Sequence, residues 1–339
     1  MALVTHQVTA SDAAGVDGTA QVAAGVREHD WPEEPPTLPR MVALSLEHPF
    51  PGRQSELYLA SRDGAPAGRL LLTFPMLDNL SNVFVELEVA PAHRRNGIGR
   101  RLLALAEERA RARGRSRLMA DTAWSLPGLP ARDGAGVAFA RAAGFAAALS
   151  DVQRRLDLRH LDEPALDAML AEARAKAAGY RLVQWRDSAP EEYVDDVAYL
   201  DSRLVEDAPM GDLKWEPEKV DADRIRKSEK VRAARGQHSR HTGAVHEETG
   251  RLVAWTAIGG DRQLDWFAWQ GITIVEPRHR GHRLGALVKV ANLRSVRAAD
   301  PAVRVIDTFN AEANTHMIAI NEAMGFRPLY AWQAWQRDL

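Results

Sequence analysis

The sequence predicts an α/β fold that occurs twice, in tandem, along one chain. Three observations support this: the length of 339 residues, an internal repeat, and a recurring order of strand and helix signals. At about 150 residues per domain, such a chain corresponds to roughly two domains. Hydrophobic residues make up 45% and charged residues 27%, which is typical of a soluble globular protein with a sizeable core.

The two halves of the chain carry matching segments in the same order. VELEVAPAHRRNGIGRRL begins at Val85, and GITIVEPRHRGHRLGALV begins at Gly271. Pro91 and Pro277 are 186 residues apart, and the Asp-Thr and Gly-Phe pairs downstream recur at nearly the same separation. Because both order and spacing hold, the pattern indicates a tandem duplication. It predicts an N-terminal domain over residues 1–158, a linking helix over 159–180 and a C-terminal domain over 181–339.

In the first half, two apolar runs around the turn signal Asp63-Gly64 predict a hairpin. The segment NVFVELEVAP predicts a strand with one solvent-exposed face, since Glu86 and Glu88 alternate with apolar residues. A basic loop, an amphipathic helix, a short strand, a helix ended by Gly144 and a final strand follow. A further helix is expected before the hairpin, around residues 11–28.

The second half repeats this order of elements. It has a hairpin around Thr249-Gly250, a strand ending at Pro277, a loop, a helix, a strand, a helix ended by Gly325 and a last strand near the C-terminus. Helical regions around 191–203 and 217–234 precede that hairpin. The segment 159–180 reads as a helix with Asp162 as a candidate cap.

Composition excludes several classes of function. The chain has no cysteine, so disulfide scaffolds, thiolate zinc sites and cysteine nucleophiles are excluded, and no metal site is predicted. A net charge of -2 disfavours a nucleic-acid partner, because such binding depends on phosphate neutralisation. We find no apolar run long enough for a membrane span and no signal peptide, so we expect a cytoplasmic protein.

The motif that carries chemistry is a strand, a proline, a basic loop with glycines, and a helix. Amides at a helix N-terminus have no partner within the helix, and the helix dipole is positive there. Glycines allow an anion to approach the backbone, and arginines add charge-assisted hydrogen bonds. The motif therefore predicts a pyrophosphate cradle. Its spacing is neither the G-x-G-x-x-G of dinucleotide-binding folds nor the G-K-[ST] of P-loops.

This motif resembles the acetyl-coenzyme A signature of the GCN5-related N-acetyltransferases, [RQ]-x-x-G-x-[GA] after a strand reading L-x-V-x-P. The first half has Leu87-Glu88-Val89-Ala90-Pro91 and then Arg94 to Gly99. The second half has Thr273-Ile274-Val275-Glu276-Pro277 and then Arg280 to Gly285. The order of strand, loop, helix, strand, helix and Gly-Phe also fits the family. The resemblance implies mixed, mostly antiparallel sheets flanked by helices.

The resemblance further implies that acetyl-coenzyme A, or another acyl-coenzyme A, is the co-substrate. The residues implied to bind it in the first half are Leu87, Glu88, Val89, Arg94, Arg95, Asn96, Gly97, Ile98, Gly99 and Arg100. Those implied in the second half are Val275, Arg280, Gly281, His282, Arg283, Leu284, Gly285 and Asn314.

The implied activity is direct N-acyl transfer, acetyl in the first instance, to a small amine-bearing metabolite. The amine must lose a proton, so a base is needed. Glu86 and Glu88 lie on the polar face of the strand and are the candidate bases; the alternative is that they are solvated surface carboxylates. We expect a monomer or a homodimer.

Two departures from the family keep a second hypothesis open. The tyrosine that family members hold four residues before the Gly-Phe glycine is replaced by Ala140 and Asn321. In the second loop, Arg283 stands where the first loop has a glycine. This second hypothesis is a catalytically degenerate module that binds coenzyme A or has a regulatory role. The sequence leaves open which half is active and favours the first half for cofactor binding.

Overall fold

The computed structural model describes residues 3–339, and the chain forms two compact units. Unit 1 comprises the chain up to Ser150 together with Gly211–Glu216 and Ala331–Leu339. Unit 2 comprises Asp151–Met210 and Pro217–Tyr330.

The described residues form twelve strands and ten α-helices. The strands are β1 (Leu3–Val8), β2 (Arg53–Arg62), β3 (Ala65–Pro75), β4 (Asn82–Val89), β5 (Arg117–Trp124), β6 (Ala146–Asp157), β7 (Tyr180–Arg186), β8 (Gln237–His246), β9 (Leu252–Asp261), β10 (Phe267–Val275), β11 (Val305–Ala311) and β12 (Arg327–Asp338). The helices are α1 (Ala13–Asp30), α2 (Pro39–Glu47), α3 (Ile98–Ala112), α4 (Ala135–Ala142), α5 (Glu163–Lys176), α6 (Val194–Ser202), α7 (Leu204–Asp207), α8 (Ala222–Ala234), α9 (Leu284–Ala299) and α10 (Thr315–Met324).

Each unit contains a mixed, mostly antiparallel sheet with the same topology. The strand order is β1-β2-β3-β4-β5-β12 in unit 1 and β7-β8-β9-β10-β11-β6 in unit 2. In unit 1 β4 and β5 are parallel, and in unit 2 β10 and β11 are parallel, while the other neighbours within each unit are antiparallel. Hydrophobic clusters lie on both faces of each sheet, so helices cover both faces. The predicted fold class is confirmed.

The sixth strand of each sheet comes from the other half of the sequence. β12 pairs with β5 from Ala331↔Trp124 to Asp338↔Arg117. In unit 2, β6 pairs with β11 along residues 151–157. The units therefore differ from the predicted ranges 1–158, 159–180 and 181–339. The repeat locates equivalent strands in each half, but their identical patterns do not specify which sheet each strand joins.

A buried ion pair attaches β6 to unit 2. Asp307 on β11 is 0% exposed, and both of its carboxylate oxygens accept hydrogen bonds from Arg155, each at 2.7 Å. Gln153 adds a third hydrogen bond at 2.9 Å. Breaking a buried pair leaves one charge uncompensated and costs about 3–5 kcal/mol, which makes this strand position strongly specified.

The segment 159–180, predicted to link two domains, is instead part of unit 2. Its helix α5 begins after Asp162, whose side chain accepts a hydrogen bond from the Ala165 amide at 3.0 Å, as the cap signal predicts. Leu166 and Leu170 are buried in the same hydrophobic cluster as α9. The helix thus stabilises the core of unit 2.

The other predicted helices and hairpins are present, whereas the sequence analysis did not predict β1, α2, β7 or the short helix α7. β1 and β7 each have a single neighbouring strand in their unit and are only partly buried, so their hydrophobic alternation is weak. Within residues 3–339, no helix combines the length and the apolar character needed to cross a membrane.

Lys289 on α9 has an unusual environment. Its side chain is 1% exposed, and its ammonium lies 5.6 Å from the centre of the Phe326 ring. In the part of the chain that the structure describes, the ammonium makes no hydrogen bond or ion pair. Burial lowers the pKa of Lys289 to about 7.

We expect Lys289→Met to raise the free energy of unfolding at pH 7 by about 1–4 kcal/mol, because the side chain no longer carries a buried charge. The pKa of the folded state lies below that of the unfolded chain, so the unfolded chain binds more protons between these values. The stability of the natural chain should therefore rise from pH 7 to pH 10, and that of the variant should rise less. Urea unfolding across this range tests both effects, with the exposed Lys230→Met as control; a destabilised variant with an unchanged pH dependence would contradict the analysis.

Candidate active site

In each unit the parallel strands pair for three residues and then separate. β4 pairs with β5 at residues 82–84, and β10 pairs with β11 at residues 267–269. β4 nevertheless continues to Val89 and β10 to Val275. The strand edges beyond this point are no longer joined by ladder hydrogen bonds. The separation leaves a place where an extended ligand can hydrogen-bond to the backbone of β4 or β10.

A basic loop and a helix N-terminus follow the separated strand in both units. Arg95 and Gly97 have positive φ angles of 61° and 79°, and Gly281 and Arg283 have positive φ angles of 89° and 54°. The two loops thus share one backbone conformation, although the order of glycine and arginine is reversed. No side chain caps α3 or α9, so their first amides are available to an anion.

Arg283 stands where the first loop has Gly97, and this difference does not change the backbone conformation of the loop. Arg283 adopts the left-handed conformation at a cost of roughly 1 kcal/mol, and its guanidinium forms an ion pair with Glu172 at 2.7 Å. A Cβ added at Gly97 or at Gly281 would meet no atom within 4 Å, so both loop tips are open.

The first arginine of each loop differs in its partners. Arg94 donates to the Val89 carbonyl oxygen at 3.2 Å, to both carboxylate oxygens of Asp30 and to Asp133 at 2.7 Å. Its side chain is 19% exposed. Two carboxylates therefore neutralise the guanidinium of Arg94, which the sequence analysis expected to bind a phosphate. These contacts hold the loop in place.

Arg280 is less constrained than Arg94. It donates to the Val275 carbonyl oxygen at 3.3 Å and to Asp207 at 3.0 Å, and its side chain is 52% exposed. Asp207 is itself held by Arg203. More of the guanidinium of Arg280 therefore remains accessible to an anion.

A β-bulge distinguishes unit 2 from unit 1. Gln270 pairs with Ile258 and Thr273 pairs with Thr256, so two residues of β10, Gly271 and Ile272, oppose the single residue 257 of β9. In unit 1, β4 pairs with β3 without interruption over residues 84–89. A bulge takes one residue out of the ladder and redirects its amide. It also places Ile272 on the strand face opposite to that of Gln270.

Gln270 holds the bulge in place. The sequence analysis did not identify this residue as part of the site. Its side chain is 5% exposed, and its amide nitrogen donates to Thr256 Oγ1 at 3.0 Å and to the Ala257 carbonyl oxygen at 2.9 Å. Its Oε1 is buried and has no hydrogen-bond partner among the described residues. An extra residue in the second copy of the strand, relative to the first, is the sequence signal that could have revealed the bulge.

Glu86 and Glu88, the candidate bases, lie on one face of β4, while Val83 and Val85 are buried in the core on the other. Glu88 is ion-paired with Arg69 of β3, and Glu86 lies 3.8 Å from the Arg69 guanidinium.

The Glu86 side chain is 60% exposed. Reduced hydration nevertheless raises the pKa of Glu86; Arg69 opposes this rise and Glu88 adds to it. Glu86 is therefore the less constrained of the two carboxylates. In unit 2 the corresponding positions are Ile272 and Ile274, which pack in an apolar cluster with α6.

The remaining predicted residues have mostly structural contacts. Leu87 and Val89 pack against the core of unit 1, and Asn96 donates to the Arg94 carbonyl oxygen at 3.0 Å. Gly99 is close-packed, since a Cβ there would lie 3.3 Å from the Phe139 ring. Ile98 is buried, whereas Arg95 and Arg100 are exposed at the start of α3.

In unit 2, Leu284 is buried, and Gly285 lies against Val275 and Ile320. His282 bonds to the Lys176 carbonyl oxygen at 3.3 Å. Asn314 caps α10 by accepting a hydrogen bond from the Met317 amide at 3.2 Å.

The positions of the missing tyrosines are buried. Ala140 is 6% exposed and Asn321 is 0% exposed. Asn321 donates to Asn310 Oδ1 at 2.7 Å, while its own Oδ1 lacks a partner among residues 3–339. Neither residue can protonate a leaving thiolate.

Separated parallel strands followed by an uncapped helix N-terminus form a place for an extended ligand that carries phosphate, as the coenzyme A resemblance implies. The acetyltransferase (GNAT) family pattern matches residues 23–127. A tandem GNAT protein from the clavulanic acid biosynthesis pathway, in a structure without acetyl-coenzyme A, is 33% identical, with a TM-score of 0.83 over 99% of this chain and 98% of that one.

Two more distant structures share the fold. A GCN5-related N-acetyltransferase from Sphaerobacter thermophilus is 15% identical, with a TM-score of 0.66 over 99% of this chain and 95% of that one. A glucosamine N-acetyltransferase region of a fungal multi-domain β-N-acetylglucosaminidase is 14% identical, with a TM-score of 0.67 over 99% of this chain and 38% of that one. No curated protein sequence matches significantly. The chain belongs to the GNAT family as a tandem member, and it is an N-acetyltransferase.

The cluster of Arg69, Glu86 and Glu88 leads to a pH-dependent prediction. We expect Arg69→Met to lower the free energy of unfolding at pH 7 by about 1–3 kcal/mol, because two neighbouring carboxylates lose their counter-charge. Without Arg69 nothing opposes the rise in the pKa of Glu86 that its reduced hydration causes, so the loss should be smallest below pH 4.5 and should grow as the pH rises.

Urea unfolding of Arg69→Met at pH 4.5 and pH 7 measures this difference. The double variant Arg69→Met/Glu88→Gln removes the repulsion and should recover part of the stability at pH 7. An equal loss at both pH values would show that Arg69 contributes through packing alone.

Proposed function

We propose that the protein transfers an acetyl group from acetyl-coenzyme A directly to an amino group of a small metabolite, and that the transfer takes place in unit 2. The observation that carries this proposal is the bulge in β10 at Gly271 and Ile272, beside the separated strands. Preorganised amides that point to the site where negative charge develops are a major source of catalysis in acyl transfer.

The residues of unit 2 have distinct roles in this proposal. The amides at the start of α9, with Gly281 and Arg280, bind the pyrophosphate, and the backbone of β10 up to Val275 binds the pantetheine arm. The redirected bulge amide donates to the thioester oxygen. Gln270 positions the bulge and does not itself contact the substrate.

The chemistry requires few protein groups. The neutral amine nitrogen adds to the thioester carbon, the C–S bond breaks to release the coenzyme A thiolate, and the proton that the nitrogen loses passes through solvent water to that thiolate. A thiol has an ordinary pKa of about 8.5, so its thiolate is a tolerable leaving group without a protein acid. The proposed transfer in unit 2 therefore does not require an acid at Asn321, where family members have a tyrosine.

Unit 1 lacks two of these features. Its β4 has no bulge, and Arg94 already donates hydrogen bonds to the carboxylates of Asp30 and Asp133. These observations favour unit 2 as the place of acyl transfer. The sequence analysis had instead favoured the first half for cofactor binding. Any acetyl-coenzyme A that binds the loop of unit 1 would meet a strand without the redirected amide.

Matched glycine substitutions in the two loops test the location of transfer. Gly281→Glu places a carboxylate in the cradle of unit 2, so we expect acetyl-coenzyme A to bind there at least about tenfold more weakly and turnover to be lost. Gly97→Glu should retain turnover. The two positions have similar positive φ angles and open surroundings, so the backbone strain is comparable.

Thiol release from acetyl-coenzyme A across a panel of amines measures turnover, and calorimetry measures binding. Loss of turnover in Gly97→Glu with retention in Gly281→Glu would place the reaction in unit 1. Retention in both variants would show that neither loop binds the co-substrate productively.

Glutamine substitutions at Glu86 and Glu88 provide an independent test. A general base in β4 would make Glu86→Gln lose about 10²-fold or more in kcat. Transfer in unit 2 instead predicts that both Glu86→Gln and Glu88→Gln retain kcat and its pH profile. A large loss of kcat, with unchanged affinity for acetyl-coenzyme A, would reassign catalysis to unit 1.

A further inference from the structure

A cavity of about 60 Å³ lies in unit 2 between helices α6 and α8 and strands β7–β9. Trp185, His241 and Trp255 line it from the strands, Asp201 from α6 and Arg232 from α8. The space is large enough for several water molecules, and hence for an ammonium group with its adjoining methylene groups. It is too small for a whole metabolite.

Three parallel rings form one wall of the cavity. Trp185 and His241 are 5.2 Å apart at an interplanar angle of 2°, and His241 and Trp255 are 5.8 Å apart at 17°. His241 Nδ1 accepts a hydrogen bond from Trp255 Nε1 at 3.1 Å, and His241 Nε2 lies 2.7 Å from Ser239 Oγ. Burial lowers the pKa of His241 to about 4, so the ring is neutral at physiological pH. The wall therefore presents uncharged aromatic faces, which attract cations.

Asp201 is the carboxylate of the cavity that lacks a partner. Throughout residues 3–339, no group donates a hydrogen bond to it or forms an ion pair with it. By contrast, Glu229 accepts from the Ala189 amide at 2.8 Å and from Arg226 at 2.9 Å. Asp187 accepts from the Ser239 amide at 2.8 Å.

Asp201 is partly buried, and this loss of hydration raises the pKa of its carboxyl group. The positive charges of Arg232 and Arg224 lower the pKa of the Asp201 carboxyl group and so offset part of the effect of its burial. An under-solvated carboxylate without donors is costly, and a ligand that supplies N–H donors would relieve that cost.

The cavity lies near β10, the strand to which we assign the acetyl group. Trp255 is the cross-strand partner of Ile274 on β10, two residues after the bulge pair. Ile274 and Trp255 belong to the same apolar cluster. The cavity wall is therefore one strand away from the strand to which we assign the acetyl group.

We propose that this cavity anchors a cationic nitrogen of the acceptor, with Asp201 as hydrogen-bond acceptor and the rings of Trp185 and Trp255 against the adjoining methylene groups. This inference rests on the proposed function. A neighbouring carboxylate stabilises the protonated form of an amine, so the anchored nitrogen keeps its proton and cannot attack the thioester. The acceptor therefore carries a second amino group that reacts, as an alkyl diamine does.

Nuclear magnetic resonance of the full chain tests the cavity directly. We expect n-pentylammonium to shift the indole ¹H–¹⁵N signals of Trp185 and Trp255, and pentan-1-ol to shift them much less. Asp201→Asn should weaken pentylammonium binding by tenfold or more, because the acceptor of the ammonium hydrogen bond loses its negative charge. Asp195→Asn, an exposed position on the same helix, should bind as the natural chain does. Equal binding by Asp201→Asn, or no shift of either signal, would overturn the proposal.

Turnover separates this inference from the proposed function. With acetyl-coenzyme A, kcat/KM for 1,5-diaminopentane should exceed that for n-pentylamine at least tenfold, and Asp201→Asn should remove the preference without changing the affinity for acetyl-coenzyme A. If pentylammonium binds at Asp201 while acetyl-coenzyme A is neither bound nor consumed, the cavity assignment holds and the proposed function fails. If both amines react equally well, the function holds and the diamine assignment is wrong.

Discussion

The early end of pairing between the parallel strands is the constraint on which both candidate sites depend. A ladder that continued beyond Phe84 or Trp269 would satisfy the backbone groups of the following residues and leave no edge for a ligand. The loops that follow carry the chain from the separated strand to α3 or α9 with positive φ angles, and no side chain caps the first amides of either helix. The site is therefore built mainly from backbone, which explains how two copies with different side chains keep the same form.

The two copies have diverged in what they add to this common backbone. Unit 1 has an uninterrupted β4, a carboxylate-rich strand face and an arginine held by Asp30 and Asp133. Unit 2 has a bulge held by Gln270, apolar residues at the corresponding positions and a more exposed arginine. A bulge moves one amide out of the ladder, whereas charged side chains change the electrostatics around an unchanged ladder. These are alternative modifications of one fold, and we assign acyl transfer to the copy with the altered backbone.

The exchange of the last strands makes each unit dependent on both halves of the sequence. β12 completes the sheet of unit 1, and the buried contact between Arg155 and Asp307 holds β6 in unit 2. The segment 211–216 of the second half also belongs to unit 1, where Asn82 donates to the Lys214 carbonyl oxygen at 3.1 Å and the Trp215 ring lies 5.1 Å from the Phe84 ring. Neither half of the sequence contains all the strands of one unit, so the duplicated copies fold as an interdependent pair of units.

The sequence by itself determined the duplication, the fold class, the order of elements and the two loops, because these depend on local patterns: period-two alternation, period-3.6 amphipathicity, turn residues and a motif of contiguous residues. It also located Glu86 and Glu88 on one strand face correctly. Only the tertiary structure decided which sheet receives β6 and β12, that Arg94 is neutralised, that β10 bulges, and that Asp201, Trp185 and Trp255 line one cavity. Each of these depends on contacts between residues far apart in the chain, or on a one-residue shift in register, and neither leaves a periodic signal in a single sequence.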